Sequence, residues 1–247
     1  MAIPTTVTYR IAEIGGALVG EFHLRSESGI NPLSGGVVSE ISSVLRQLDN
    51  VDPPHAILFR STGRCFSAGA DLKEIRCATP ESFRRFMADI LDMYAMLSEV
   101  RKPVISLVHA DARGGGAALA FFSDFVIAAE DARFALPESH RGLAGGGYLM
   151  PRLVGKHRAA EMVLLGRTYS AREMHRMGLV TELCAAEALE ASCAALCAEL
   201  RTISPGAFAV GKRSLAAGLS VDLRAAMDAH VEAQTEAFLR ARTGGLL

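Results

Sequence analysis

The period of hydrophobic positions switches repeatedly along this chain between that of a strand and that of a helix. Ala17-Leu18-Val19-Gly20-Glu21-Phe22-His23-Leu24 reads as a strand. From Val37 to Leu48 the apolar residues Val37, Val38, Ile41, Val44 and Leu45 fall on one helix face. Ala56-Ile57-Leu58-Phe59-Arg60 is a second, short apolar strand. The next helix is marked by Thr79 as cap, Pro80 in the first turn and Glu81 at the positive end of the dipole. Phe83, Phe86, Met87, Ile90, Tyr94 and Leu97 then recur at steps of three and four. Val104-Ile105-Ser106-Leu107-Val108 and Phe125-Val126-Ile127-Ala128-Ala129 are further buried strands. Strand, helix and strand in this order predict right-handed crossovers and parallel pairing, hence an α/β fold.

Beyond Arg158 the pattern is mostly helical. Ser170 and Glu173 have the spacing of a capping box, and Gly178 is a natural stop. Ser204-Pro205 opens another helix, and Leu223, Met227, Val231 and Phe238 predict a long last one. A boundary near residue 185 separates a core region (1–185) from a helical region (186–247). Half of the 247 residues are hydrophobic and 21% are charged, the balance of a globular protein. Lys and Arg (26) nearly cancel Asp and Glu (27), and no long basic run exists, so no nucleic-acid partner is expected. No apolar run approaches the length of a membrane span, and Met1 to Thr6 does not read as a secretory leader. A cytoplasmic location is the expectation. The five cysteines lack a zinc-type CxxC pair, so no metal is expected; Cys193 and Cys197 share a helix face as small core residues.

Three segments carry candidate chemistry. Gly114-Gly115-Gly116 follows a strand and precedes a helix, where unpaired amides at the positive dipole end can receive an anion. Close packing of that helix on a strand would use glycines equally well. A dinucleotide loop fails, because Leu119 stands where the third glycine of GxGxxG is required. Ala68-Gly69-Ala70 is a small-residue turn in which backbone, not side chain, would line a site. Glu138 follows Pro137 among Phe134, Ala135, Leu136 and Leu143. It is either an exposed strand-end carboxylate or a desolvated acid/base.

The order and spacing of these segments resemble the enoyl-CoA hydratase/isomerase (crotonase) superfamily. The similarity runs from Asn31-Pro32-Leu33-Ser34 through Ser67-Ala68-Gly69-Ala70-Asp71-Leu72-Lys73 and Lys102-Pro103-Val104-Ile105. It continues with Gly114-Gly115-Gly116, Ala135-Leu136-Pro137-Glu138 and Pro151-Arg152-Leu153-Val154-Gly155, and ends with Leu165-Gly166-Arg167-Thr168-Tyr169-Ser170-Ala171 and Gly178-Leu179-Val180. The resemblance implies a spiral of ββα units followed by a helical trimerisation region, and so a homotrimer or a dimer of trimers. It also implies an acyl-CoA, or another pantetheine-bound acyl group, with no cofactor beyond the CoA of the substrate. The thioester oxygen would meet the N–H groups of Ala70 and Gly115, with Gly114 beside it. Ser67 and Ala68 would hold the adenine end through their backbone, with Lys73 and Arg25 near the phosphates. Glu138 would be the base, His140 a second proton donor and Tyr148 a further substrate contact. His109 and Arg113 are candidates for an acyl-chain carboxylate, with ordinary salt-bridged structure the simpler reading.

The chain departs from the family pattern where hydratases carry a second glutamate, for that position is Ala118. The stretch Gly142 to Tyr148 is about three residues shorter than its counterparts. One glutamate suits a proton shuttle along an allylic system, so enoyl-CoA isomerisation is expected beside hydration/dehydration. Decarboxylation, C–C cleavage or thioester hydrolysis on the same oxyanion site are the other enzymatic readings. A binding or scaffold subunit that has lost catalysis is the alternative of another class.

Overall fold

A computed structural model describes residues 5–48, 51 and 54–220. The chain opens with a hairpin, β1 (Thr6–Ile14) and β2 (Ala17–Arg25), then β3 (Pro32–Leu33) and helix α1 (Gly35–Leu48). Strands β4 (Ala56–Ser61), β5 (Cys65–Ser67) and β6 (Gly69–Ala70) lead into α2 (Leu72–Cys77) and α3 (Pro80–Glu99). The next unit is β7 (Val104–Val108), β8 (Asp111–Arg113) and α4 (Gly115–Phe121); then come β9 (Phe125–Ala129) and β10 (Arg133–Ala135). A 3-10 turn over Pro137–Arg141 precedes α5 (Met150–Val154) and α6 (Lys156–Val163). After β11 (Thr168–Ser170), α7 (Ala171–Arg176) and β12 (Glu182–Cys184), the described chain closes with α8 (Leu189–Leu200) and α9 (Pro205–Ser220).

Repetition of two strands and a helix builds the α/β spiral that the resemblance implies. The first strand of each repeat enters a six-stranded sheet ordered β1-β2-β4-β7-β9-β12, parallel except for the hairpin. The second strand enters a smaller sheet ordered β11-β10-β8-β5. Helix α3 starts with a capping box between Thr79 and Ser82, and α7 with one between Ser170 and Glu173. Gly178, at φ 78°, ends α7 as its position suggested. The long helix expected around Leu223 to Phe238 lies outside the described residues.

Two apolar layers flank the large sheet. On one side Phe22, Phe59, Leu24 and Val108 pack with α1, α3, α4 and the small sheet. On the other, Val19, Leu58, Ile105 and Ile127 meet Leu189, Cys193, Cys197 and Leu200 of α8. Both cysteines are fully buried free thiols, as core residues would be. Helix α9 is tied to the sheet by a buried pair, Lys212 Nζ to Asp124 Oδ2 at 2.6 Å.

The loops that reach the small sheet depend on Asn31, which is fully buried at φ 48°. Its amide nitrogen donates to the carbonyls of Thr62 (2.8 Å) and Cys65 (2.9 Å), and Ser26 Oγ donates to its Oδ1 (3.1 Å). One side chain thus satisfies the turn that delivers β5 and the residues after it. Alanine would leave two part-buried carbonyls without this donor while keeping an unfavourable backbone conformation. The Asn31→Ala variant is expected to lose about 2–4 kcal/mol in urea unfolding. An unchanged midpoint would show that the loop holds without it.

Candidate active site

The site forms where β6 meets the start of α4. The amide of Asp71 donates to Leu33 O (3.0 Å). Alternate residues of a parallel strand face the neighbouring strand, so the Ala70 N–H points away from β3. It points toward the glycine loop: a Cβ placed on Gly115 would lie 3.4 Å from Ala70 N. Gly114, at φ 52° and ψ −126°, occupies a conformation open essentially only to glycine. Its own amide donates to Ala135 O (2.8 Å), and its carbonyl accepts from Ala118 N (3.0 Å). Because carbonyl and N–H of one peptide point in opposite directions, that second bond turns the Gly115 N–H out of the helix. No side chain caps α4. Two amides from separate segments therefore face one space, while Gly116 packs so tightly on Ser67 that a Cβ would come within 2.4 Å of its carbonyl. Close packing, one of the two sequence readings of the glycines, thus falls on Gly116.

Glu138 enters the same space from the 3-10 turn. Its Oε2 is buried and has no hydrogen-bond partner. Burial pushes the carboxyl above its ordinary value of 4.5, with the backbone and Arg141 opposing more weakly. Both walls around the group are glycine. A Cβ on Gly114 would sit 2.9 Å from Oε1, and one on Gly145 2.7 Å from Cδ. The carboxylate thus lies over the loop whose amides face the hole. An aromatic ladder runs alongside: Tyr94 stacks on Phe122 (5.2 Å), which stacks on Tyr148 (6.3 Å). Tyr148 is 48% exposed, and burial followed by the Glu138 charge raises its phenol.

Other candidates fall differently. His140 is exposed, and its Nε2 lies 2.7 Å from the Leu165 carbonyl with the ring against Gly166. That bond ties the ring to the segment after α6. Ser67 is fully buried; its hydroxyl donates to Asn31 O (2.8 Å) and accepts from Gly69 N (3.2 Å). Of the expected adenine contacts, Ala68 alone is half-buried rather than buried. Lys73 is exposed on the first turn of α2, and Arg25 is exposed at the end of β2. Arg113 pairs with Asp111 (2.8 Å), and His109 Nε2 lies 3.0 Å from Gly63 O. Ala118 is buried within α4. Tyr94 and Gly145 shape the site without having been singled out from sequence. Tyr94 matched the apolar period of its helix, and Gly145 sat inside a glycine run. Among the described residues no group of three or more His, Cys, Asp or Glu could hold a metal ion, and no single helix is long and apolar enough to cross a membrane.

The chain is similar to known proteins over most of its length. The family model for enoyl-CoA hydratase/isomerase matches residues 16–244. A probable enoyl-CoA hydratase of Mycobacterium leprae is 34% identical over 201 residues, 80% of this chain and 77% of its own length. The mitochondrial enoyl-CoA hydratase of Pongo abelii is 35% identical over 186 residues, 73% of this chain and 63% of that protein. The crystal structure of an enoyl-CoA hydratase from Bacillus anthracis superposes with a TM-score of 0.88 at 29% identity, covering 97% of this chain and 94% of that one. A spiral α/β core, paired amides at a glycine loop and a carboxylate above them accompany this likeness over nearly the whole chain, which belongs to the enoyl-CoA hydratase/isomerase family of acyl-CoA enzymes.

Proposed function

We propose that the chain moves a double bond within an enoyl-CoA, using Glu138 as its one proton carrier. The observation that carries this reading is the lone desolvated carboxylate above the two amides, with Ala118 buried where a second acid would stand. The thioester carbonyl of a 3-enoyl-CoA accepts from Ala70 N–H and Gly115 N–H. Glu138 takes a proton from C2, and the electron pair of that C–H bond flows into a dienolate whose charge rests on the thioester oxygen. Each fixed amide stabilises that charge by about 3–4 kcal/mol relative to the ground state. The same carboxylic acid returns the proton to C4, giving the conjugated 2-enoyl-CoA with no change in composition. Every step is a proton transfer or a dipole interaction, so CoA as part of the substrate suffices. Burial suits the base to this work, since an ordinary carboxylate is too weak to remove such a proton at neutral pH. Ala68, Lys73 and Arg25 serve the nucleotide end in this reading, and the assembly is a trimer or a dimer of trimers.

Hydration is the second reading, and it is favoured by likeness to the enoyl-CoA hydratases above. The deciding experiment offers 3-enoyl-CoA and 2-enoyl-CoA separately. Appearance of conjugated absorbance from the first, with C2 deuterium incorporation in D2O, is the expected result. Formation of 3-hydroxyacyl-CoA from the second, with the first untouched, would overturn isomerisation in favour of hydration. Intact CoA binding without exchange would leave a scaffold.

A further inference from the structure

The Gly115 amide sits in a run of three glycines, where backbone rotation is least restricted. Such a donor needs something to hold it. The peptide before it is fixed by the Ala118 amide bonding to Gly114 O. The peptide after it is fixed from outside the helix, for Tyr94 Oη donates to the Gly115 carbonyl at 2.7 Å. Tyr94 belongs to α3, is only 2% exposed and stacks nearly parallel to Phe122. A Cβ on Gly115 would lie 2.8 Å from that phenol oxygen, so glycine at 115 is also what lets the hydroxyl reach its acceptor.

We infer that Tyr94 is a positioning residue of the oxyanion site, holding the peptide after Gly115 and so fixing the residue whose N–H meets the thioester oxygen beside Ala70 N–H. The inference rests on the thioester reading above. It assigns to α3 a part in the chemistry, although the Tyr94 side chain, being buried, does not touch substrate. Burial, then Tyr148 and Glu138, hold the phenol well above its ordinary range, so it remains a donor throughout the working pH. The geometry also explains the tyrosine itself. A leucine or phenylalanine would fill the same apolar face, but neither would anchor the Gly115 carbonyl.

The test uses dimethylaminocinnamoyl-CoA, whose absorption band moves to the red when its thioester carbonyl is polarised. Wild-type protein is expected to shift the band. Tyr94→Phe keeps the ring and its stack and loses only the hydroxyl. It is expected to reduce the shift by about half or more and to lower kcat about tenfold, with KM and the dissociation constant of the probe within about twofold. Tyr94 replaced alone by 3-fluorotyrosine, a stronger donor, is expected to move the band further to the red. A purely packing role would change stability and leave the band in place. An unchanged band and kcat in Tyr94→Phe, with the wild-type shift present, would overturn the assignment while leaving the thioester site standing. A fluorotyrosine variant with the wild-type band would do the same. A wild-type protein that binds the probe without any shift would overturn both.

Discussion

Glu138→Gln is expected to lower C2 deuterium exchange and enoyl turnover by about 10²–10⁴-fold while leaving acyl-CoA affinity nearly unchanged, because it removes the proposed base and little volume. Exchange measured at saturating substrate separates the loss from any change in binding. The pH profile supplies a second signature. The base acts as carboxylate, and burial raises its pKa above the ordinary 4.5. The acidic limb of kcat/KM is therefore expected above the ordinary carboxylate range, with activity rising as pH rises through it. Exchange that persists in Glu138→Gln at the wild-type rate would remove this residue from the mechanism.

The same substitution is expected to stabilise the fold at neutral pH. A carboxyl whose folded pKa lies above its unfolded value binds its proton more tightly in the folded state. Its contribution is then most favourable below about pH 4.5, the unfolded value, and is lost as pH rises through the raised folded value. With Oε2 buried and unpartnered, ionisation at pH 7 works against folding. The glutamine variant is expected to melt about 2–4 °C higher at pH 7–8, as about 1 kcal/mol would produce in a chain of this size. The difference should vanish near pH 4. Opposite effects on rate and stability are what a residue kept for chemistry should show.

Legibility in the sequence followed the length of each element. α1, α3, β2, β4, β7 and β9 bury enough successive positions for their period to be read directly. The strands of the small sheet are three residues long and β6, which pairs with β3, only two, too short for any period, and so Gly69–Ala70 looked only like a turn. Strand β1 was missed although the sequence contains its signal. Gly15 and Gly16, at φ 58° and 74°, form the two-residue turn that joins hairpin strands, and Val7 alternates with exposed neighbours. For the site, motif order identified Ala70, Gly115 and Glu138. The partners of a side chain are another matter. Whether the Glu138 oxygen meets water, a donor or nothing is fixed by Gly114 and Gly145 across space. Tyr94 is indistinguishable by period from Ile90 and Leu97, and only its hydroxyl, aimed at the Gly115 carbonyl, separates it from them. The partner of His140 was hidden in the same way: nearness in sequence to Glu138 says nothing about Leu165, whose carbonyl meets the ring.

Gly69→Ala is expected to damage the site without touching any reacting group. Gly69 has φ 83°, and a Cβ there would fall 2.6 Å from Gly115 N and 2.7 Å from Arg113 O. Both obstacles are backbone, so no flexible side chain can yield. Real Cβ contacts do not fall below 3.0 Å, and β6 must therefore retreat from the glycine loop by several tenths of an ångström. That retreat spreads the two amides, since Ala70 follows Gly69 directly. Misplacement approaching 1 Å costs roughly 10²-fold in an arrangement that relies on fixed geometry. The backbone conformation adds about 1–2 kcal/mol of strain, which should lower the urea midpoint. The expected result is a folded protein with weakened stability, near-normal affinity for CoA itself, and turnover about tenfold lower. Serine should behave as alanine does. If Gly69→Ala instead keeps full turnover, the two amides need not lie this close, and stabilisation of the enolate must come from elsewhere in the site.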